Sequence, residues 1–279
     1  PGKPGLWLVK TKTESIYRRS SKSVIHLLQV VNNDTQLIKL TGPLGKGAEQ
    51  TDSKFIHASF SPTGEYVSYV FDNNLYLYQV ATGQYKSVTT DGKWNFIING
   101  NCDWVYEEEF EFSQAYAWNK EGTHLAYYRF DESKVKEFNM TFYDNAHNSD
   151  YRYKYPKAGD DNSSVEIYVY DINTGSKVKA ETETGDIYIP RIKWTQDNNT
   201  LIVFWMNRHQ NHLKLLATDA TTGKSRMVYE EKNKYFVEIN DDWWFLQDGK
   251  HFLFTSEMNG YRHLYLYSFD GAVKTQVTQ

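Results

Sequence analysis

The sequence predicts an all-β fold, namely a β-propeller of repeated four-stranded antiparallel blades, and three observations favour this class. Aromatic residues make up 16% of the 279 residues, and aromatic side chains fit the half-buried surface of a pleated sheet. Several segments alternate apolar and polar residues, which is the pattern of strands with one buried face. One order of motifs recurs about every 50 residues, as it does in propeller blades.

The repeat has one layout: an aromatic residue, a turn, an apolar strand, a second alternating strand and a Thr-Gly or Asp-Gly turn. A single small antiparallel sheet cannot bury both of its faces, so we expect the copies to stack. An incomplete copy, residues 15–34, precedes the others and ends in Asn32, Asn33 and Asp34. A β-sandwich is the alternative fold, but sandwiches rarely repeat one motif so regularly. The four full copies are Phe60–Gly83, Trp118–Gly175, Trp194–Gly223 and Phe245–Gly271.

Charge and composition exclude several functional classes. The net charge is −4 with acidic and basic residues interspersed, so no basic stripe is available to follow the phosphates of a nucleic acid. No apolar run approaches the roughly 20 residues that a membrane span requires. The single cysteine, Cys102, excludes an internal disulfide framework and a Cys-based zinc site. We expect it to be a small buried hydrophobe.

No metal or cofactor is predicted. His209 and His212 have a spacing found in metal sites, but no cysteine or acid follows them at ligand spacing. Asp160, Asp161 and Asn162 lack the glycine and the final glutamate of a calcium-binding loop. We interpret them as a solvated turn.

The most unusual stretch is Asp103–Phe110, DWVYEEEF. Its three adjacent carboxylates repel one another, so we expect a cation to relieve the repulsion. Successive side chains of a strand point to opposite faces, whereas in a helical turn Glu108 and Glu109 lie about 100° apart and can approach one cation. We therefore predict a short helix with Asp103 as its N-cap and the acids in its first turns, where the helix dipole favours negative charge. The alternative interpretation is an acidic, solvated start of a helix.

This string resembles the double-glutamate segment of the dipeptidyl peptidase IV family, part of the prolyl oligopeptidase family, in which the last two acids bind the free amino terminus of a peptide substrate. Two further segments resemble that family, Tyr155–Gly159 (YPKAG) and Gly260–His263 (GYRH). The first of them lies in an insertion, Asp131–Ser164, which is longer than a blade hairpin requires. The resemblance extends from about Ile16 to Tyr267.

The resemblance implies which acids bind the substrate. Glu108 and Glu109 would bind its α-ammonium group, which is largely charged at pH 7 and offers three N–H donors. Glu107 would support them by orienting the loop or the helix. The carboxylates would also exclude longer, internally bound peptides, which would make the full-length protein an exopeptidase.

Arg18 is the third substrate-binding residue that the resemblance implies. It lies in Ile16–Ser20, which resembles the family's aromatic-Arg-x-Ser segment. Its guanidinium group would contact a backbone carbonyl of the bound dipeptide and pair with the acidic cluster. An alignment error of one residue would exchange Arg18 with Arg19. Alternatively, the two arginines only keep a strand edge soluble.

By resemblance, the chain is roughly the middle of an eight-bladed propeller that precedes a C-terminal α/β-hydrolase domain. It contains no G-x-S-x-G nucleophile elbow, so we expect no catalytic residue in this segment and no peptidase activity of the segment alone. The full-length serine peptidase would release N-terminal dipeptides with Pro or Ala in second position. Its partners would be a peptide with a free N-terminus and its own hydrolase domain. Formation of a homodimer is left open.

Three alternatives also stay open: a non-catalytic propeller that binds proteins, a related aminopeptidase such as a tripeptidyl peptidase, and a periplasmic sensor or scaffold propeller whose acid run is surface decoration. The scarcity of cysteine favours a bacterial source and a periplasmic or otherwise extracytoplasmic location. The first residues, PGKPGLWLVK, lack the pattern of a signal peptide and run almost directly into strand-like sequence. We therefore expect the chain to be a piece of a longer protein.

Overall fold

The computed structural model describes residues 5–31, 34–43 and 53–279. Most elements of these residues are strands, and the all-β class is confirmed. The elements in chain order are β1 (Leu6–Ser15), β2 (Ser21–Val31), β3 (Asp34–Lys39), β4 (Phe55–Phe60), β5 (Tyr66–Phe71), β6 (Asn74–Gln79), β7 (Tyr85–Ser87), β8 (Ile97–Asn99), α1 (Trp104–Glu109), β9 (Tyr116–Trp118), β10 (His124–Asp131), β11 (Glu137–Phe142), β12 (Ser149–Lys154), β13 (Ser164–Asp171), β14 (Lys177–Lys179), β15 (Ile187–Trp194), β16 (Thr200–Asn207), β17 (His212–Asp219), β18 (Ser225–Lys232), β19 (Trp243–Phe245), β20 (His251–Ser256), β21 (His263–Ser268) and β22 (Lys274–Gln276).

Both strands of every predicted repeat are present. They are β5 and β6 in the first copy, β10 and β13 in the second, β16 and β17 in the third, and β20 and β21 in the fourth. Alternation explains the strand assignment: in β20 the side chains of Phe252, Phe254 and Ser256 are buried and those between them are half-buried. The turn predicted at Asn32 and Asn33 lies outside the described residues.

The Thr-Gly turn of the third repeat shows how such a copy closes. Asp219, the last residue of β17, accepts hydrogen bonds through Oδ1 from the backbone N–H groups of Thr221 (3.0 Å) and Thr222 (2.7 Å). Asp171 makes the same pair of bonds at the end of β13. An aspartate that bonds to the backbone two and three residues ahead forms an Asx-turn. The repeat is therefore conserved between these two copies in hydrogen bonding as well as in residue type.

The chain forms two compact units. The first comprises the described residues up to Tyr116 together with Tyr127–Ser164, and the second comprises Ala117–Ala126 and Val165–Gln279. In the first unit β8 pairs with β10, and in the second unit β13 pairs with β14.

The first unit contains a seven-stranded sheet with the order β1-β2-β4-β5-β6-β7, in which β3 also pairs with β2. The sheet contains the four-strand antiparallel run β4-β5-β6-β7 that was predicted for a blade, but β1, β2 and β3 extend it. Two residue pairs, Lys22 with Ile56 and Ser23 with Phe55, join β2 to β4 and so merge the strands into one sheet. One face of the sheet is packed by a cluster of buried residues: Ile25, Leu27, Leu40, Phe55, Val67, Tyr69 and Tyr78.

The insertion in the second repeat forms a hairpin. Strands β11 and β12 pair antiparallel from Glu137 opposite Lys154 to Phe142 opposite Ser149, and they make a separate two-stranded sheet. The insertion Asp131–Ser164 was expected from the sequence, but its two strands were not assigned there. The alternating segments EFNMTF and SDYRYK carried the missing signal.

The second unit contains two four-stranded antiparallel sheets, β15-β16-β17-β18 and β19-β20-β21-β22. Each has the strand number and pairing predicted for a blade, and each is open. Their aromatic residues pack against one another, with ring centroids 5.2 Å apart for Phe204 and Trp243 and 5.6 Å apart for Tyr229 and Trp243. Stacking of neighbouring sheets, which buries a second face of each, is thus observed for this pair.

Replacing Gly223 with Ala should destabilise the second unit. Gly223 has a φ of +74°, and a Cβ there would lie 2.1 Å from the backbone oxygen of Lys179. We expect a loss of about 3 kcal/mol in the free energy of unfolding, because the left-handed conformation and the overlap both add cost. Gly249→Ala is the matched control: its φ is +65° and a Cβ there meets nothing within 4 Å, so about 1 kcal/mol is expected. Equal losses in urea unfolding of the two variants would contradict the steric argument.

Candidate functional site

Helix α1 begins where the sequence predicted it. Asp103 is its N-cap, with φ −72° and ψ 174°, and Oδ1 accepts a hydrogen bond from the backbone N–H of Tyr106 at 2.9 Å. Oδ2 accepts a second bond from Oγ of Ser163 at 2.6 Å. The carboxyl group is buried, and this burial raises the pKa of Asp103. The predicted helix and the predicted cap are both confirmed.

An aromatic cluster fixes the buried face of α1. Tyr106 is 1% exposed, and its ring contacts other aromatic rings on several sides, with centroid distances between 4.8 and 6.3 Å. Large buried aromatic side chains are the strongest contributors to packing, so the helix has a defined orientation in the first unit. The partners of Tyr106 are Phe110, Phe112, Tyr128 and Phe130.

The predicted position of the acids within the helix is correct for Glu107 and wrong for Glu108 and Glu109. Glu107 lies in the first turn. The helix has six residues and ends at Glu109, so the other two carboxylates lie at its C-terminal end, and its last turn contains no basic residue. The helix dipole opposes negative charge at that end. A cation from outside the helix would stabilise these two groups.

Glu107 joins α1 to the turn between β1 and β2, residues 16–20. Its side chain is fully buried. Oε1 accepts hydrogen bonds from the backbone N–H groups of Arg19 at 2.6 Å and Ser20 at 2.8 Å. Oε2 is buried and has no hydrogen-bond partner among the described residues. A buried carboxylate that accepts two backbone bonds sets the position of this turn relative to the helix.

The turn carries both candidate arginines, and their ion pairs differ. Nε of Arg18 lies 3.0 Å from Oε2 of Glu108, and the two side chains are 74% and 17% exposed. Arg19 instead pairs with Glu111 at 3.1 Å. The sequence left open whether Arg18 or Arg19 is the substrate-binding arginine. Arg18 is the one that contacts the predicted acid pair. The side chain of Glu109 is exposed and makes no hydrogen bond or ion pair with the described part of the chain.

A cavity of about 780 Å³ lies beside the N-terminal end of α1. Its wall includes Tyr17, Asp103, Trp104 and Glu132. Glu132 is 6% exposed, and its carboxylate makes no hydrogen bond with the described residues. Burial raises the pKa of Glu132 to about 8, assisted by the negative charge of Asp103. Glu132 could not be found from the sequence, because the second of two adjacent acids in RFDESK carries no local signal of burial.

The stability of the protein should depend on pH through Glu132. Its ordinary pKa is 4.5 and its pKa in the folded protein is about 8, so the folded state binds the extra proton between these values. Folding stability should therefore fall as pH rises from about 4.5 to 8. The neighbouring charges of Asp103 and Asp131 act in the same direction, whereas Lys154 opposes them.

Replacing Glu132 with Gln should remove that dependence. Between pH 5 and pH 8.5, we expect the free energy of unfolding of the full-length wild type to fall by about 2–4 kcal/mol more than that of the variant. Urea unfolding at the two pH values measures the difference. Glu65→Gln, which changes an exposed acid, is the control. Parallel pH profiles for wild type and Glu132→Gln would contradict the assignment.

Comparison with known proteins identifies the family. The family model described as "Dipeptidyl peptidase IV (DPP IV) N-terminal region" matches residues 5–279. The chain belongs to this family. Its relatives include dipeptidyl aminopeptidase B of Saccharomyces cerevisiae, 31% identical over 206 residues that cover 70% of this chain and 24% of that protein. They also include inactive dipeptidyl peptidase 10 of Rattus norvegicus, 32% identical over 220 residues that cover 74% and 27%.

Among solved structures, that of Porphyromonas gingivalis dipeptidyl peptidase 4 is similar to this chain, with a TM-score of 0.88 and 33% identity. It covers 99% of this chain, which in turn covers 38% of that one. The chain thus spans about a quarter of the two curated relatives and somewhat more than a third of the solved one. Among the described residues, no helix has the length and the apolar character needed to cross a bilayer.

Proposed function

We propose that this dipeptidyl peptidase IV N-terminal region anchors the free amino terminus of a peptide substrate, within a serine exopeptidase that releases N-terminal dipeptides of the Xaa-Pro or Xaa-Ala type. One observation carries the proposal: two adjacent carboxylates lie at the C-terminal end of α1, where the dipole opposes them, and one guanidinium group pairs with one of them. The names of the related dipeptidyl peptidases support the same function.

Charge balance favours an ammonium ligand. Glu108 and Glu109 contribute two negative charges and Arg18 contributes one positive charge, which leaves one negative charge at the site. The α-ammonium group of a peptide supplies one positive charge and three N–H donors. Glu109 is free to accept such donors, and a carboxylate such as Glu108 has about four acceptor positions, of which the ion pair with Arg18 uses one.

Arg18 has donors left for a second contact. A guanidinium group carries five N–H donors in a fixed plane, and the ion pair with Glu108 is made through Nε. Its exposed end can donate to a carbonyl oxygen of the first residues of the peptide. Bound at both its amine and a carbonyl, a peptide has a defined register.

That register determines which bond is cleaved. With the amino end held by Glu108 and Glu109 and a carbonyl held by Arg18, the bond after the second residue lies at a constant distance from the site. The nucleophile would come from a C-terminal α/β-hydrolase domain in the rest of the protein. Holding two reactants in a productive geometry lowers the entropic part of the barrier. The same carboxylates disfavour peptides that lack a free amino end, because binding would leave the acids without a cation.

A second candidate function is a propeller that binds proteins without catalysis. The specific observation in its favour is the 32% identity to a relative named inactive dipeptidyl peptidase 10. A related aminopeptidase with another register is the other alternative. In each case the ligand of Glu108 and Glu109 would remain a free amino end, whereas hydrolysis and its register would differ.

The test compares substrates that differ only at the amino end. The full-length protein should hydrolyse Gly-Pro-4-nitroanilide, and N-acetylation of that substrate should lower kcat/KM by about 100-fold or more, since it removes the charge that pairs with the acids. Release of tripeptides in place of dipeptides would favour the related aminopeptidase. Absence of hydrolysis would favour the non-catalytic propeller, and equal hydrolysis of both substrates would exclude amine anchoring.

A further inference from the structure

We propose that the β11–β12 hairpin positions the substrate site, through three tyrosines, Tyr151, Tyr153 and Tyr155, that hold the Arg18 turn and helix α1 relative to each other. The inference rests on the proposed function, since it concerns how the amine-binding groups are placed. These tyrosines are positioning residues and contact no substrate.

The hairpin presents the tyrosines as one row. Residues two apart in a strand share a face, and the ring centroids are 5.3 Å apart for Tyr151 and Tyr153 and 5.8 Å apart for Tyr153 and Tyr155. Phe138 on the partner strand supports the row at 6.3 Å from Tyr153 and 5.4 Å from Tyr155. The backbone N–H of Tyr155 donates to the backbone carbonyl oxygen of Lys136 at 3.1 Å, which extends the strand pairing past the end of β12. The row therefore has little freedom to move by itself.

The first two tyrosines of the row, Tyr151 and Tyr153, hold the turn that carries Arg18. The ring of Tyr17, the residue before Arg18, lies 6.0 Å from the ring of Tyr153. Its hydroxyl group also interacts with that of Tyr151. Tyr153 is 4% exposed, so the contact with Tyr17 belongs to a packed interior. A shift of Tyr17 would displace Arg18 directly, because the two residues are adjacent in the chain.

The other end of the row holds α1. The ring centroids of Trp104, the first residue of the helix, and Tyr155 lie 4.1 Å apart. Ser163, at the far end of the same insertion, donates to the N-cap Asp103 at 2.6 Å. Both contacts act on the N-terminal end of α1, about 6–8 Å of helical rise from the carboxylates at its other end.

The three elements thus form a closed set of contacts. Glu107 ties the turn to the helix, Tyr17 and Tyr153 tie the turn to the hairpin, and Trp104 and Tyr155 tie the helix to the hairpin. Two bodies joined by one contact can rotate about it, whereas a third body that contacts both prevents the rotation. The hairpin supplies that third body. The separation of Arg18 from the acids of α1 is therefore set by the hairpin as well as by their own ion pair.

The experiment is a double-mutant cycle in the full-length protein with a dipeptidyl substrate that has a free amino end. Tyr153→Leu should lower kcat/KM about tenfold, mostly through KM, when it is assayed well below the melting temperature, which the loss of a buried ring will also lower. Tyr153→Phe keeps the ring and should stay within about twofold. Tyr85→Leu, at an exposed tyrosine of β7 in the same unit, should also stay within about twofold.

The deciding measurement repeats Tyr153→Leu in an Arg18→Ala background. If the tyrosine acts by placing Arg18, its effect should shrink to less than about threefold there, because the group that it positions is gone. An undiminished tenfold effect would overturn the proposal and leave Tyr153 a merely structural residue. Should Tyr153→Leu fail to fold, Tyr17→Leu removes the same contact from the other side and is judged by the same cycle. If Arg18→Ala alone leaves kcat/KM unchanged, this inference fails, whereas amine anchoring by Glu108 and Glu109 is judged separately by the N-acetylated substrate.

Discussion

Replacing Glu108 with Gln should lower kcat/KM of the full-length protein for free-amine dipeptidyl substrates by roughly 30-fold to several thousandfold. Removing one partner of a charge pair that the bound peptide would desolvate costs about 2–5 kcal/mol, and kcat/KM reports that loss directly. The change affects two interactions at once, because Glu108 pairs with Arg18 at 3.0 Å and is proposed to bind the substrate ammonium. Glu109→Gln affects the ammonium alone, so its effect should lie toward the lower end of the range.

Glu111→Gln is the matched control for both variants. Glu111 lies two residues past the end of α1, is 67% exposed and pairs with Arg19. It is therefore a nearby acid that has no role in the proposed site. An exposed ion pair contributes about 0–1 kcal/mol, and we expect kcat/KM to change less than about threefold. If Glu108→Gln and Glu111→Gln behaved alike, amine anchoring by the acid pair would be wrong.

Replacing Glu107 should have the largest effect on stability. Glu107→Ala leaves two buried backbone N–H groups, those of Arg19 and Ser20, without an acceptor and opens a void. We expect a loss of about 3–5 kcal/mol in the free energy of unfolding. Glu107→Gln keeps one oxygen that can accept the two backbone bonds but loses the negative charge. Its NH₂ group takes the place of Oε2, which has no hydrogen-bond partner among the described residues. About 1–3 kcal/mol is expected for that variant.

Urea unfolding of the full-length protein measures this series, with Glu14→Gln as the control. Glu14 is half exposed and pairs with Lys22 of β2 and with Lys54, which precedes β4, so its replacement should cost much less than the loss of two buried backbone hydrogen bonds. We expect the loss of unfolding free energy to be largest for Glu107→Ala, smaller for Glu107→Gln and smallest for the control Glu14→Gln. A loss for Glu107→Ala no greater than for Glu14→Gln would show that the two backbone hydrogen bonds do not hold the turn.

Sequence reasoning succeeded where the signal was local. Alternation predicted both strands of each repeat, and the Thr-Gly motifs predicted the turns after Asp171 and Asp219. Asp103 was recognisable as the N-cap of α1, and it accepts a hydrogen bond from the backbone N–H three residues ahead. It failed for α1 in one respect. A run of three acids does not reveal that the helix ends at Glu109, where Phe110 is the C-cap and packs with Phe112 against Tyr106.

Strand periods, turns and caps are decided by neighbours within a few residues, and so they can be read along the chain. Other features required the tertiary structure. The hydrogen bonds that Glu107 accepts join residues 87 and 88 positions apart in the sequence. The raised pKa of Glu132 depends on its burial and on the charges around it. The choice of Arg18 over Arg19 depends on which acid each side chain pairs with. These are long-range contacts and local electrostatic environments, which residue order does not encode directly and which exist only once the elements have packed.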